Sequence, residues 1–267
     1  MWGSSMFKEI DYNKHFVIGT VLVPWKVERL EHMAWLEGLG SIREKFPNAK
    51  FFAALEVDSR GIEAYNGLDQ TFNDWGIDYW TYMINDKETN VTSTNRWIRI
   101  ETGRNLIREF AQRLRTISGH HWGESTEQIG AAYEAVLYVD ADMVLTLNHV
   151  EKLLEVDHPI VSVDVPAYGL HGKVINVKPR IEEHWNTAGM LLVNAPAFYD
   201  LIWSHNNYLN LSDDPTFQSH AVRLLRREGV ENLDTTYGET WVRKDIHASH
   251  VGELIPVENR GIPDRVM

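Results

Sequence analysis

Short apolar runs alternate along the chain with segments whose apolar residues recur every three or four positions. Phe16-Val17-Ile18-Gly19-Thr20-Val21-Leu22-Val23 is continuous and β-branched, the pattern of a strand buried on both faces, and Pro24 stops it. Leu30, Met33 and Ala34 begin a helical face that runs to about Lys45, and Pro47-Asn48 marks a turn. The unit then repeats. Phe51 to Val57 predicts a second strand, Ile62 to Phe72 a short helix and Tyr79 to Ile84 a third strand. The clearest helix follows, with Ile100, Gly103, Ile107, Phe110, Ala111 and Leu114 on one face at a spacing near 3.6. Ala135 to Val139 predicts a fourth strand and Ile160 to Val165 a fifth.

Beyond that the pattern loosens. His171 to Pro179 reads as a loop or hairpin, and Met190 to Val193 as a strand. Asp214-Pro215, followed by Phe217, Ala221, Leu224 and Leu225, predicts a helix with Asp at its cap and Pro at its first position. The last 30 residues receive no assignment. Strands alternating with helices imply an α/β fold, a mostly parallel sheet with helices on both faces. Ligands of such sheets bind at the carboxyl ends of the strands.

Composition narrows the classes. At 267 residues the chain is one large domain or two small ones, and with no repeat or linker visible the expectation is a single domain over 1–267. The 18 Gly and 9 Pro exclude a collagen-like or low-complexity chain. A net charge of −12 disfavours a nucleic-acid coat protein. With no cysteine there is neither a disulfide framework nor a thiolate metal site, and a reducing, cytoplasmic location is expected. Met1 to Glu9 lacks a basic stretch followed by an apolar one, so no signal peptide is expected. Apolar runs of about eight residues fall short of the roughly 20 that cross a bilayer, so the expectation is a soluble protein with no membrane partner.

The sharpest candidate for chemistry is Val136-Leu137-Tyr138-Val139-Asp140-Ala141-Asp142. A buried strand ends in two carboxylates spaced i, i+2, which share one face if the backbone stays extended. Two hard oxygen ligands suit Mg²⁺ or Mn²⁺ that also binds a phosphate. Read without the cation, they are solvated aspartates capping the next helix, yet adjacent carboxylates repel unless a cation lies between them. Arg104, Arg108 and Arg115 form a stripe beside the apolar face of their helix, where a guanidinium can meet a diphosphate or simply face solvent. Glu56, Asp58 and Asp86 end the second and third strands, placed for ribose or base hydrogen bonds or for plain solvation. Asp213 and Asp214 open a helix; capping accounts for one, and the other is left over as a candidate general base. His247 and His250 can each reach a metal. Most of the ten Trp belong in a core, and Trp185 is singled out as a surface on which a sugar ring can stack.

A strand ending in Asp-x-Asp resembles the metal-binding motif of GT-A-type nucleotide-sugar glycosyltransferases. Thr102-Gly103-Arg104-Asn105 is similar to that family's Arg-Asn segment, and Asn186 to Val193, with Gly189, to its acceptor-side loop and following strand. Ser212-Asp213-Asp214 resembles the acidic pair that often supplies the base, although many members carry Glu-Asp there. His247 or His250 matches the late histidine that completes the metal site. The resemblance spans roughly Phe16 to His250. It implies a nucleotide-diphospho-sugar transferase-like fold, with 1–145 as the nucleotide-binding half and 146–267 as the acceptor-side half. It also implies a metal-dependent transferase: Asp140, Asp142 and His247 on Mn²⁺ or Mg²⁺; Arg104, Glu56, Asp86 and Asp140 toward a UDP or GDP sugar; Asp213 and Asp214 in catalysis; Trp185 and Gly189 toward the acceptor. The acceptor stays open, and the acidic charge does not point to a nucleic acid.

Two rival classes remain. Leu137 to Val144 also resembles the opening motif of haloacid-dehalogenase phosphatases, whose first Asp is a nucleophile. That motif normally opens its domain, whereas here about 130 residues of strand-helix units precede it. The second rival is a non-catalytic nucleotide-sugar-binding protein on the same fold.

Overall fold

In a computed structural model, which describes residues 7–22, 35–36, 38–57, 68–83, 92–119, 133–164, 189–194, 203 and 241–247, the apolar runs become the strands of one sheet. These are β1 (Phe16–Leu22), β2 (Lys50–Val57), β3 (Ile77–Met83), β4 (Ala135–Val139), β5 (Ile160–Asp164), β6 (Met190–Asn194) and β7 (Trp241–His247). The helices are α1 (Leu39–Lys45), α2 (Leu68–Trp75), α3 (Thr92–Gly119) and α4 (Leu147–Leu154). The seven strands run in the order β3-β2-β1-β4-β6-β5-β7. β1 pairs in parallel with β2 and β4, β2 with β3, and β5 with β7, while β6 lies antiparallel between β4 and β5. The fold is therefore α/β, with a mostly parallel sheet, as the alternation of patterns predicts.

Both faces of the sheet are covered. Ile18 and Leu137 point to a core shared with Leu39 and Ile42 of α1, Phe72 of α2 and Val150 and Leu153 of α4. Their strand neighbours Val17 and Val136 point the other way, to Ile107, Phe110 and Ala111 of α3. This is the period-2 alternation of a strand buried on both faces. α3 lies unusually close to the sheet. A Cβ on Gly19 would stand 2.2 Å from Ile107 Cγ2, and one on Gly103 would stand 2.6 Å from Val21 Cγ1. Two glycines facing each other's elements thus set the distance between α3 and β1.

The structure also departs from the sequence pattern in places. The third strand begins at Ile77, because Gly76 takes a left-handed φ of 55° and turns the chain directly from α2 into β3. The fifth strand is described over Ile160–Asp164, and Val165 lies outside the described residues. α4 was anticipated only as the unbounded helix that follows the aspartates, and β7 was not anticipated. α4 has only eight residues, and its capping box uses an unusual partner: the Thr146 hydroxyl accepts from the His149 N–H, and His149 Nδ1 accepts from the Thr146 N–H. β7 lies at the rim of the described strands, where a strand needs no apolar run, and it reads Trp-Val-Arg-Lys-Asp-Ile-His. The loop at His171 to Pro179, the helix after Asp214 and the stretch from Val23 to Ala34 lie outside the described residues.

Candidate functional site

The strand order fixes where a ligand belongs. From β1 the chain steps outward through β2 to β3, then returns through α3 to β4 on the other side of β1. The crevice outside the carboxyl ends of β1 and β4 is the switch point at which ligands of open α/β sheets bind. Asp140 stands at that point, immediately after Val139. Its N–H donates to the Gly189 carbonyl at 2.8 Å, and its own carbonyl accepts from the Met143 N–H at 3.0 Å. The second bond closes a four-residue turn, so Asp140 and Asp142 do not lie on an extended strand as their spacing suggested. The ladder with β6 ends at Val139, and the chain must bend toward α4. Burial nevertheless alternates through the turn. Ala141, Met143 and Leu145 sink into the core shared with α1 and α4, leaving Asp140 and Asp142 half-buried at the carboxyl end of β4.

α3 supplies the charge that answers Asp140. Arg104 Nη2 lies 3.1 Å from Asp140 Oδ1; the arginine side chain is 5% exposed and the aspartate 40%. The Arg104 guanidinium carbon stands 4.4 Å from the centre of the Trp203 ring. That ring meets Tyr138 edge-on, with centroids 5.0 Å apart. Asn105 binds the Trp203 main chain twice, accepting its N–H at 3.0 Å and donating to its carbonyl at 3.0 Å. Burial pushes the Tyr138 hydroxyl up to about 12, offset in part by Trp203 and by the Arg108 and Arg104 guanidiniums. Five residues earlier on α3, Arg99 Nε lies 3.2 Å from Glu56 Oε1 at the end of β2.

Of the residues singled out from sequence, Asp140, Asp142, Arg104 and Gly189 come together at this one end of the sheet. Arg104 is committed to Asp140 and Trp203, so its first task is to hold a carboxylate. Glu56 is buried and engaged by Arg99. His247 ends β7 beside Asp164, at the same end of the sheet. Three strand spacings of about 4.8 Å separate its main chain from that of Asp140, about 14 Å in all. Asp58, Asp86, Trp185, Asp213, Asp214 and His250 lie outside the described residues, and Arg115 lies in α3. Sequence reading missed Trp203 and Arg99. No local signal marks Trp203, because Asn105 is 98 residues away in sequence.

The carboxylates fit a hard cation. Arg104 occupies Oδ1 of Asp140, and the half-exposed carboxyl keeps a second oxygen for another partner. Among the described residues no group of three or more His, Cys, Asp or Glu could hold a metal alone. Mg²⁺ is typically bound through one or two carboxylates plus substrate phosphates, which is the donor set this turn offers.

No family model and no curated protein matches the chain. Among solved structures it is similar to the mannosyltransferase PcManGT from Pyrobaculum calidifontis in complex with GDP-Man and Mn²⁺, at 12% identity and a TM-score of 0.42 over 94% of this chain. The chain spans 60% of that protein's length. It is also similar to an active-site mutant of LgtC, at 12% identity and a TM-score of 0.36, covering 85% of this chain and 72% of that one. A third likeness is to a nucleoside-diphosphate-sugar pyrophosphorylase from Vibrio cholerae RC9, at 10% identity and a TM-score of 0.41, covering 89% and 95%. The α/β assignment rests on this chain's own strand order, not on these likenesses.

Proposed function

We propose that the chain is a metal-dependent glycosyltransferase that moves a sugar from a nucleotide-diphosphate donor, a UDP or GDP sugar, to an acceptor. The observation that carries this reading is a pair of half-buried aspartates on one turn at the switch point of the sheet, one of them backed by a buried arginine. In this reading residues 1–267 form one domain acting in the cytoplasm, with 1–145 holding the nucleotide and 146–267 facing the acceptor.

Asp140 and Asp142 hold Mn²⁺ or Mg²⁺ together with the donor diphosphate. The bound cation supplies Lewis-acid stabilisation of the leaving diphosphate. Arg104 orients Asp140 and adds positive charge beside the departing group. Glu56 and Asp86 face the nucleoside. Gly189, whose carbonyl binds the Asp140 N–H, and Trp185 line the acceptor side. Asp213 or Asp214 takes the acceptor proton if configuration inverts. His247 or His250 supplies a further ligand.

The test is calorimetric titration of UDP and GDP with Mn²⁺, then incubation with a panel of nucleotide sugars to read slow release of the free nucleotide diphosphate. Wild-type protein binds and hydrolyses one donor, and Asp142→Ala abolishes both while keeping its far-UV spectrum. Unchanged nucleotide affinity in Asp142→Ala overturns the site. Phosphate release from an aryl phosphate, lost in Asp140→Asn, would support the phosphatase reading instead.

A further inference from the structure

We propose that Asn105 and Trp203 are positioning residues that hold Arg104 against Asp140, and so set the orientation of the carboxylate at the candidate metal site. The proposal rests on the reading of Asp140 as a metal ligand.

Arginine has a long side chain, and a pair with a 40% exposed carboxylate does not freeze it in one geometry by itself. Here the guanidinium is nonetheless buried, because it lies over an indole face at 4.4 Å, inside the roughly 6 Å range of a cation–π contact. The position of Arg104 therefore depends on the position of Trp203. Trp203 belongs to none of the described strands or helices. Its main chain is gripped by the Asn105 amide, which pairs with both its N–H and its carbonyl at 3.0 Å. Tyr138, directly before the site on β4, packs edge-on against the same ring from the sheet side.

The geometry makes one device of two adjacent helix residues. Successive residues of a helix point about 100° apart. Asn105 reaches the backbone of residue 203, while Arg104 lies on its ring and continues to Asp140. Asparagine is a poor helix former, and its place inside a 28-residue helix is explained by the two bonds it makes there. The contact also joins the two halves of the chain. A segment from the second half sets a charge on the first, so an event that moves the main chain at residue 203 is felt at Asp140.

The experiment uses the full chain with Asn105→Ala, the milder Asn105→Asp, and Arg104→Met alone and combined with Asn105→Ala. Asn105→Asp keeps the acceptor for the Trp203 N–H and loses the donor to its carbonyl. Two quantities are read: calorimetric affinity for UDP and GDP with Mn²⁺, and the NMR signal of the Arg104 Nε–H, assigned by its loss in Arg104→Met. In wild type that proton is sharp and protected from exchange. Asn105→Ala should broaden it and weaken nucleotide binding about tenfold or more, the size of effect seen when support of a metal ligand is removed. Asn105→Asp should fall between. The double variant should bind no worse than Arg104→Met alone, because both changes act through one contact. An unchanged Arg104 signal in both Asn105 variants, or effects that add in the double variant, overturns the proposal. If wild-type protein binds neither nucleotide, the transferase reading fails on its own, and the Arg104 signal still decides whether Asn105 and Trp203 hold it.

Discussion

Toward α1, α2 and α4 the sheet presents Phe16, Ile18, Leu22, Phe51, Ala53, Leu55, Leu137 and Val139, and the helices meet them with Leu39, Ile42, Phe72, Val150 and Leu153. Toward α3 it presents Val17, Phe52, Ala54, Val136 and Tyr138, and here the strands go on to end in charge. Glu56 and Arg104, the buried carboxylate and guanidinium among the described residues, both belong to this second side. β2 delivers Glu56 to Arg99, and the turn after β4 delivers Asp140 to Arg104. The difference is one of division of labour. The first face can be optimised for packing alone, whereas the second must pack and also hold ionised groups at the rim of a crevice. A buried guanidinium costs desolvation that packing does not, and at Arg104 the Asp140 carboxylate and the Trp203 ring offset that cost.

The largest expected effect falls on the first face. Leu137 is fully buried among apolar neighbours, and Leu137→Ala should cost about 2–5 kcal/mol through lost transfer free energy and a residual cavity. Chemical denaturation measures it, and the affinity of the surviving folded protein for nucleotide and Mn²⁺ should be unchanged. A large loss of affinity with little loss of stability would break the division between the faces.

What was legible in the sequence follows the same division. β1, β2 and β4 are buried on both sides, so their apolar runs are continuous and their ends were read to within a residue or two. The apolar stripe of α3 was readable because one helix covers three strands and must keep a long face apolar. The aspartates were readable because a buried strand that stops at a carboxylate is a strong local contrast. The rest depended on distance or context. Among the described strands β7 lies at the rim with one pairing partner, where a strand needs no apolar run. Trp203 acquires its role from residues about 100 positions earlier, which no window detects. The spacing of Asp140 and Asp142 could not reveal that the backbone turns between them, since that turn is dictated by the end of the ladder with β6.

A middle-sized effect tests how tightly α3 is docked. Gly19→Ala places a methyl 2.2 Å from Ile107 Cγ2, and overpacking of this kind costs about 1–3 kcal/mol. If the clash is local, combining it with Ile107→Ala should cost less than the two single changes added together. Because α3 carries both Arg99 and Arg104, Gly19→Ala should also weaken nucleotide binding, which Leu137→Ala should not. Strict additivity of the two stability changes would mean that β1 yields rather than the helix.

The smallest effect at neutral pH, and the sharpest test of the comparison, lies one residue from the largest. Leu137 and Tyr138 are neighbours on β4 that point to opposite faces. Tyr138→Phe keeps the ring against Trp203 and removes only a hydroxyl, so at pH 7 it should change stability by about 1 kcal/mol or less. Its signature appears at alkaline pH. Burial raises the folded-state pKa from 10.0 to about 12, with Trp203, Arg108 and Arg104 pulling the other way. Between those values the folded protein keeps a proton that the unfolded chain has released, so stability falls as pH rises through that window. The variant lacks this contribution, and the difference in unfolding free energy between wild type and Tyr138→Phe should be flat below pH 10 and slope above it. Other tyrosines titrate in both proteins and cancel in the difference. A difference that stays flat to pH 12 would mean that Tyr138 reaches solvent, and the α3 face would then be less closed around Trp203 than the geometry indicates.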